Sequence, residues 1–331
     1  MKEQKYLGFT LGSKGNIANI QAMEKKSTGV IRTIMKKLDD LKLGKYYFEC
    51  SKIFMNVILR GSILYASECY YNLTENEIRR IEKIEERYLR KIFRTGKSCP
   101  IAQMYLEYGQ WPAMFEIQKR SCLFLKYNLN QDENSQIFQF FKLQLENPIK
   151  GDWVSKCLRD LSELKIYETL NEIKQIPRNK FKNQIKRRIE INALEYLQNK
   201  RGSKGKEIEF KILEMSEYLL PYHGKLNIEE KREIFELRNR MTNIPYNFGN
   251  KEEPCVCGTM ETMSHIYSCE TLNEKKIRID YDQIYIGNIE NMKDIMKRMK
   301  TNLEIRTNMK SKEEFPHDPS DLLYCNQYEF G

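Results

Sequence analysis

Residues that break helices are scarce in this chain, with 16 Gly and 9 Pro among 331 residues. That is below ordinary usage, and with no internal repeat or long low-complexity tract it argues against a loop-rich organisation. Long apolar runs are missing too. The longest uncharged one, Ile53 to Leu59, falls far short of the ~18 residues that a membrane span requires, so no bilayer crossing is expected. Met1 to Tyr6 carries no apolar core of a signal peptide. The 9 cysteines are odd in number and mostly scattered, which excludes a disulfide framework. A reducing compartment, cytoplasmic or nuclear, is the expectation.

Lys, Glu, Leu, Ile and Asn dominate instead, a helix-forming set. The 40% hydrophobic and 31% charged residues suit a soluble globular protein, and the length suits about two domains. Lys plus Arg outnumber Asp plus Glu by 56 to 46, giving a net charge of +10 that favours acidic partners such as nucleic acid. The fold class expected is mainly α, with one short β segment at Tyr6 to Leu11, where the chain alternates as a strand before the turn at Gly12 to Asn16.

Periodicity predicts helices over 17–42, 46–68, 111–128, 136–145, 153–164, 178–198, 207–219 and 228–241. The apolar centre of the second, Ile53 to Leu59, reads as buried. Thr74-Glu75-Asn76-Glu77 is a capping box that opens a helix reaching about Arg94. On that helix Arg79, Arg80, Lys83, Arg87, Arg90, Lys91 and Arg94 share an acid-free arc of roughly 120°. A solvated face explains a single basic helix equally well; an arc this clean also suits phosphates. Residues 178–206 hold ten basic residues, Arg178, Lys180, Lys182, Lys186, Arg187, Arg188, Lys200, Arg201, Lys204 and Lys206, against two Glu, a net +8. From Asn199 onward this window reads as a flexible basic loop, either a plain linker or a phosphate-following segment. The stretch from Glu313 to Gly331 reads as a poorly ordered acidic tail, with a protein contact open to its apolar residues.

Cys255-Val256-Cys257-Gly258, followed by His265 and Cys269, spells C-x-C-x7-H-x3-C. Three thiolates and an imidazole are a ligand set for tetrahedral zinc, and four protein ligands leave no open position, so the metal expected is structural. Gly258 permits a tight turn, and His265 and Cys269 share one face of a helical turn. Ordinary cysteines are the alternative. The single-residue gap between the first two is shorter than the usual spacing. Cys50, Cys69, Cys99, Cys122, Cys157 and Cys325 read as packing residues, and His223 and His317 as surface or capping residues.

The order of these segments resembles the region after the palm in non-LTR (LINE-type) retrotransposon reverse transcriptases. Lys5 to Leu11 resembles the end of the palm; Ile63 to Glu68, Leu73-Thr74, Arg79 to Glu82 and Tyr88 to Ile92 resemble thumb helices; Leu106 to Pro112, Ile117 and Arg120 resemble the next block; and Cys255 to Cys269 resembles the family's CCHC knuckle. The resemblance spans roughly Lys5 to Leu272 and implies a palm remnant at 1–16, a thumb-like bundle at 17–130, a basic helical connector at 131–250, the knuckle at 251–275, and a helix with acidic tail at 276–331. The family's catalytic aspartates precede the Tyr-Leu-Gly segment, which begins here at Tyr6. Asp39-Asp40, the only Asp pair, lies in a helical context. No catalytic residue is therefore assigned, and the isolated chain is not expected to polymerise. The function implied is binding of RNA or an RNA/DNA template-primer, with no small-molecule substrate. The alternative is a helical, zinc-clipped scaffold for protein contacts.

Overall fold

In a computed structural model, the described residues are 4–6, 9–11, 16–70, 73–96, 99–147, 149, 151–202, 226–238, 254–273, 279, 284 and 289–313. They are mainly helical, as expected. Two compact units divide between Arg232 and Glu233.

The first unit begins with β1 (Gln4–Tyr6) and β2 (Phe9–Leu11), paired antiparallel with Gln4 opposite Leu11 and Tyr6 opposite Phe9. The single strand expected over Tyr6 to Leu11 is thus two short ones. Helix α1 (Ile17–Asp40) follows the predicted limits and buries Ile20, Met23, Ile31, Ile34 and Leu38 on one stripe. The expected 46–68 helix is interrupted: α2 (Tyr47–Phe54), a π-helical turn at Met55–Leu59 and α3 (Arg60–Ile63) succeed one another. Its apolar centre is not buried all round. Met55 and Leu59 are, but Ile53, Val57 and Ile58 face solvent. A seven-residue apolar run does not reveal how many sides neighbours cover.

Helix α4 (Glu75–Phe93) starts at Thr74, whose hydroxyl accepts the Glu77 N–H while the Glu77 carboxylate accepts the Thr74 N–H. Helix α5 (Ile101–Tyr108), which periodicity did not reveal, ends at Gly109 with φ +62°. Then come α6 (Ala113–Leu129), α7 (Gln136–Glu146), α8 (Trp153–Glu163) and α9 (Leu170–Gln175). The last was also missed, although Thr169 and Glu172 form a second capping box.

Helix α10 (Arg178–Gly202) runs four residues past its predicted end and takes up the start of the expected basic loop. Phe181, Ile185, Ile189 and Ala193 recur every fourth residue and are fully buried. They share a core with Phe115, Cys122, Leu125 and Leu129 of α6, with Phe141, and with Val154, Cys157 and Leu161 of α8. That core leaves no break at the expected 130/131 boundary, because helices on both sides of it bury one another's apolar faces.

Arg60 and Glu85 form a buried pair, Nε to Oε1 at 2.7 Å. The other Glu85 oxygen accepts from the Tyr105 hydroxyl at 2.7 Å and the Ala113 N–H at 2.8 Å. One carboxylate therefore ties α3, α4, α5 and the start of α6 together.

Helix α11 (Ile228–Arg238) carries the chain out of the first unit. The second contains α12 (Met263–Ser268) and α13 (Ile289–Glu313). The predicted 207–219 helix, Cys325, His223 and His317 lie outside the described residues. Cys69 is exposed rather than packed, whereas Cys99, Cys122 and Cys157 are buried as expected and Cys50 is half-buried.

Candidate metal centre and basic surfaces

Around the cysteine cluster the chain forms a small knuckle. Pro254 bridges to Met260, the Cys255 N–H donates to the Thr259 carbonyl at 2.8 Å, and the Gly258 N–H returns to the Cys255 carbonyl at 2.7 Å. Gly258 sits at φ +83°, a conformation that side-chain-bearing residues rarely adopt. The Thr262 hydroxyl accepts the His265 N–H at 3.0 Å and starts α12, which carries His265 toward the sulfurs and ends at Cys269.

Each of Cys255, Cys257, His265 and Cys269 contributes one ligand atom, and the four lie within 4.8 Å of one another. The Cys255 and Cys269 sulfurs are 3.8 Å apart, and Cys257 Sγ lies 3.2 Å from His265 Nε2. A tetrahedral ion with ~2.3 Å bonds to sulfur places two sulfurs ~3.8 Å apart, so the donor set fits a metal ion. A hydrogen bond from the Thr259 hydroxyl pulls the Cys257 thiol down to about 6, whereas burial pushes the Cys255 thiol up to about 11.

The knuckle is held against α13. Glu261, 0% exposed, accepts from two of the guanidinium nitrogens of Arg306, Nε and Nη2 (Nη2 to Oε2 2.7 Å), with Lys310 at 3.5 Å. Asn302 donates to the Ile266 carbonyl at 2.6 Å, and Arg298 donates to the Tyr267 carbonyl at 2.7 Å. The expected segments 251–275 and 276–331 therefore share one hydrogen-bonded interface, in which charged and amide side chains of α13 satisfy the carbonyls that α12 leaves open at its end.

The basic arc of α4 is only partly open to solvent. Arg80 is drawn onto α1, donating to Glu24 at 2.9 Å, and this bond holds the Glu24 carboxyl below the usual carboxylate range. Arg90 pairs with Glu86 at 2.6 Å and also donates to the Gly96 and Cys99 carbonyls. Arg94 closes the helix in a left-handed conformation and reaches Glu229 at 3.1 Å. Arg79, Lys83, Arg87 and Lys91 are exposed. Arg87 donates to Thr28 and Ser27 of α1, both at 3.3 Å.

These contacts set α1 and α4 parallel, Glu24 beside Arg80 and Thr28 beside Arg87. Arg32 and Lys36 of α1 then line a groove together with Lys91, Asp39 and Asp40. The reading from sequence missed Arg32 and Lys36. Their signal was a 3.6-residue stripe on the solvent side of α1, invisible as part of the arc until the two helices are packed.

On α10 the charges do not gather. Arg178, Lys180, Lys182, Lys186 and Arg187 are exposed and Arg188 is half-buried, distributed around a helix whose buried stripe drifts. Lys186 lies 3.7 Å from Glu190, and Lys200, though exposed, pairs with Glu82 at 2.7 Å, beside the Tyr196 hydroxyl on the same carboxylate. The side chain of Arg201 and the whole of Lys204 and Lys206 lie outside the described residues. Among the described residues no helix is long and apolar enough to cross a membrane. No protein-family model, no curated protein and no solved structure matches this chain.

Proposed function

We propose that the protein binds RNA or a template-primer duplex along its sugar-phosphate backbone, as the thumb-and-knuckle region it resembles in LINE-type reverse transcriptases does, without a polymerase centre of its own. The observation that carries the reading is the α1/α4 groove. Lys83, Arg87 and Lys91 stand exposed on α4, and Arg32 and Lys36 of the parallel α1 line a groove with Lys91, where the three cations outnumber Asp39 and Asp40. Arg80 and Arg90 flank it, each paired with an acid on the protein. Contacts of this kind position nucleic acid without reading bases. The exposed cations of α10 add a diffuse second surface, and zinc at Cys255, Cys257, His265 and Cys269 serves as a structural clip.

Charge reversal tests this directly. Replacing Lys83, Arg87 and Lys91 by Glu should abolish binding to an RNA duplex and to a primer-template. In the parent, log affinity should fall with log salt by about 0.7 to 0.9 for each phosphate neutralised. A flat salt dependence, or binding indifferent to the reversal, would leave the helical scaffold with protein partners as the better account.

A further inference from the structure

Where α6 meets the end of α9 and the start of α10, the chain leaves an open cavity of about 360 Å³. Lys126, Lys174 and Arg178 line it, together with Tyr127 and the apolar residues Ile176 and Pro177. No acidic side chain is among the described residues that line it. Lys174 and Arg178 are exposed. The acid that pairs with Lys174 is Glu133, itself 74% exposed and 3.9 Å away, a contact too loose and too wet to hold the ammonium against a better anion.

Lys126 is the anomaly. Three lysines are buried among the described residues. Lys156 has Asp160 and Lys231 has Glu49 at 3.8 Å, but no acid pairs with Lys126. Its ammonium donates to the Ile173 and Lys174 carbonyls and lies 5.6 Å from the Phe181 ring centroid. Burial at 5% exposure holds it below the usual lysine range. A buried charge is ordinarily answered by a counter-charge, and an anion in the adjoining cavity supplies one through a wall of low dielectric without having to touch it.

The cavity also selects among anions. A carboxylate brings one charge to three cations, and a halide leaves the apolar side uncovered. A diester backbone carries one charge per phosphate and runs past a concavity rather than into it. A phosphate monoester carries nearly two charges near neutral pH on three acceptor oxygens, and its organic body can cover Ile176, Pro177 and the Tyr127 ring. We propose that this cavity binds a phosphate monoester, its oxygens on Lys174 and Arg178 and its charge answering Lys126. That group occurs at the end of a nucleic-acid strand and on small phosphorylated molecules. The proposal does not rest on the α1/α4 groove, with which the cavity shares no residue.

The test uses the full chain and titration calorimetry with adenosine monophosphate, adenosine, and one short oligoribonucleotide ending in either a phosphate or a hydroxyl. Adenosine monophosphate should bind and adenosine should not. Lys174→Glu should weaken that binding by roughly 10- to 100-fold, the range of a lost hydrogen bond to a charged group, and Lys126→Met should act in the same direction. Affinity for a blunt RNA duplex with hydroxyl ends should stay as in the parent. Lys174 is exposed, so its reversal keeps the test valid if Lys126→Met lowers thermal stability. A preference for the phosphate-ended strand that Lys174→Glu removes places the ligand on strand ends; adenosine monophosphate binding without that preference places it on a free phosphorylated molecule. Neither effect in the parent, or either one unchanged by Lys174→Glu, overturns the proposal. An equal loss for the hydroxyl-ended duplex also overturns it, because the cavity would then be part of a general phosphate surface. Failure of duplex binding with adenosine monophosphate still bound defeats the backbone reading alone.

Discussion

The two units of the chain are stabilised by different physics. In the first, α6, α8 and α10 bury a continuous apolar core, and the charges inside it are answered by protein groups, Arg60 with Glu85 and Lys156 with Asp160. In the second, the knuckle buries Met263, Ile266 and Tyr267 on a six-residue helix, α13 buries Met292, Ile295 and Met299, and polar side chains of α13 and four potential metal ligands add to that smaller core. Long amphipathic helices supply apolar area turn after turn. The short knuckle by itself cannot, and a bound metal ion would supplement the area it lacks.

The sharpest way to break that comparison is to remove the metal. Chelation, or Cys269→Ser, should unfold the knuckle and expose α13 to proteolysis and hydrogen exchange while the first unit keeps its protection. The expected loss is large, since structural zinc contributes apparent values of about 10–16 kcal/mol near neutral pH. Binding requires deprotonated sulfurs, so occupancy should fall as the pH is lowered. Uniform loss of protection across the chain would show that the units are not independent.

Next in size is Arg60→Met, which strands the Glu85 carboxylate at 0% exposure. A cost of about 3–5 kcal/mol in urea unfolding is expected, confined to the first unit. Its counterpart, Glu261→Ala, leaves Arg306 without its buried acid and should cost a similar amount in the second unit only, with weaker metal retention as the added readout. Thr74→Ala sharpens the picture at the smallest scale. It removes one N-cap of α4 and should lower stability by about 1 kcal/mol without altering metal content. An effect of either acidic or capping variant on the opposite unit would count against the division.

The elements most legible in the sequence are those whose signal is local. Thr74 with Glu77 announced the start of α4, and its acid-free arc survives on the helix, because capping and the 3.6-residue period need no distant partner. The C-x-C-x7-H-x3-C spacing was enough to bring four ligand atoms together. Helices α5 and α9 escaped because each is short and carries too few turns to show a period. The Thr169/Glu172 box was the overlooked sign of α9. Ile53, Val57 and Ile58 misled for the opposite reason: they are apolar, but no neighbouring helix covers them.

The basic residues show the same limit more sharply. Arg80, Arg90, Arg94 and Lys200 belong to the expected binding set, yet each has an acid within about 3 Å in the fold. Glu24, Glu229 and Glu82 are remote in sequence from the cations they meet, at separations of 56, 135 and 118 residues. Only packing could say which charges remain available to a polyanion. The same packing added Arg32 and Lys36.

By itself, then, the sequence determined the helical class, the net positive charge and the metal-ligand set, since composition, periodicity and short spacings act within a few residues. Tertiary structure alone decided which of the expected cations meet an acid, that helices on both sides of residue 130 share one core, and that Glu261 ties the knuckle to α13. Those outcomes depend on which distant side chains come within hydrogen-bonding or van der Waals reach, and that is set by the packing of whole helices rather than by any one of them.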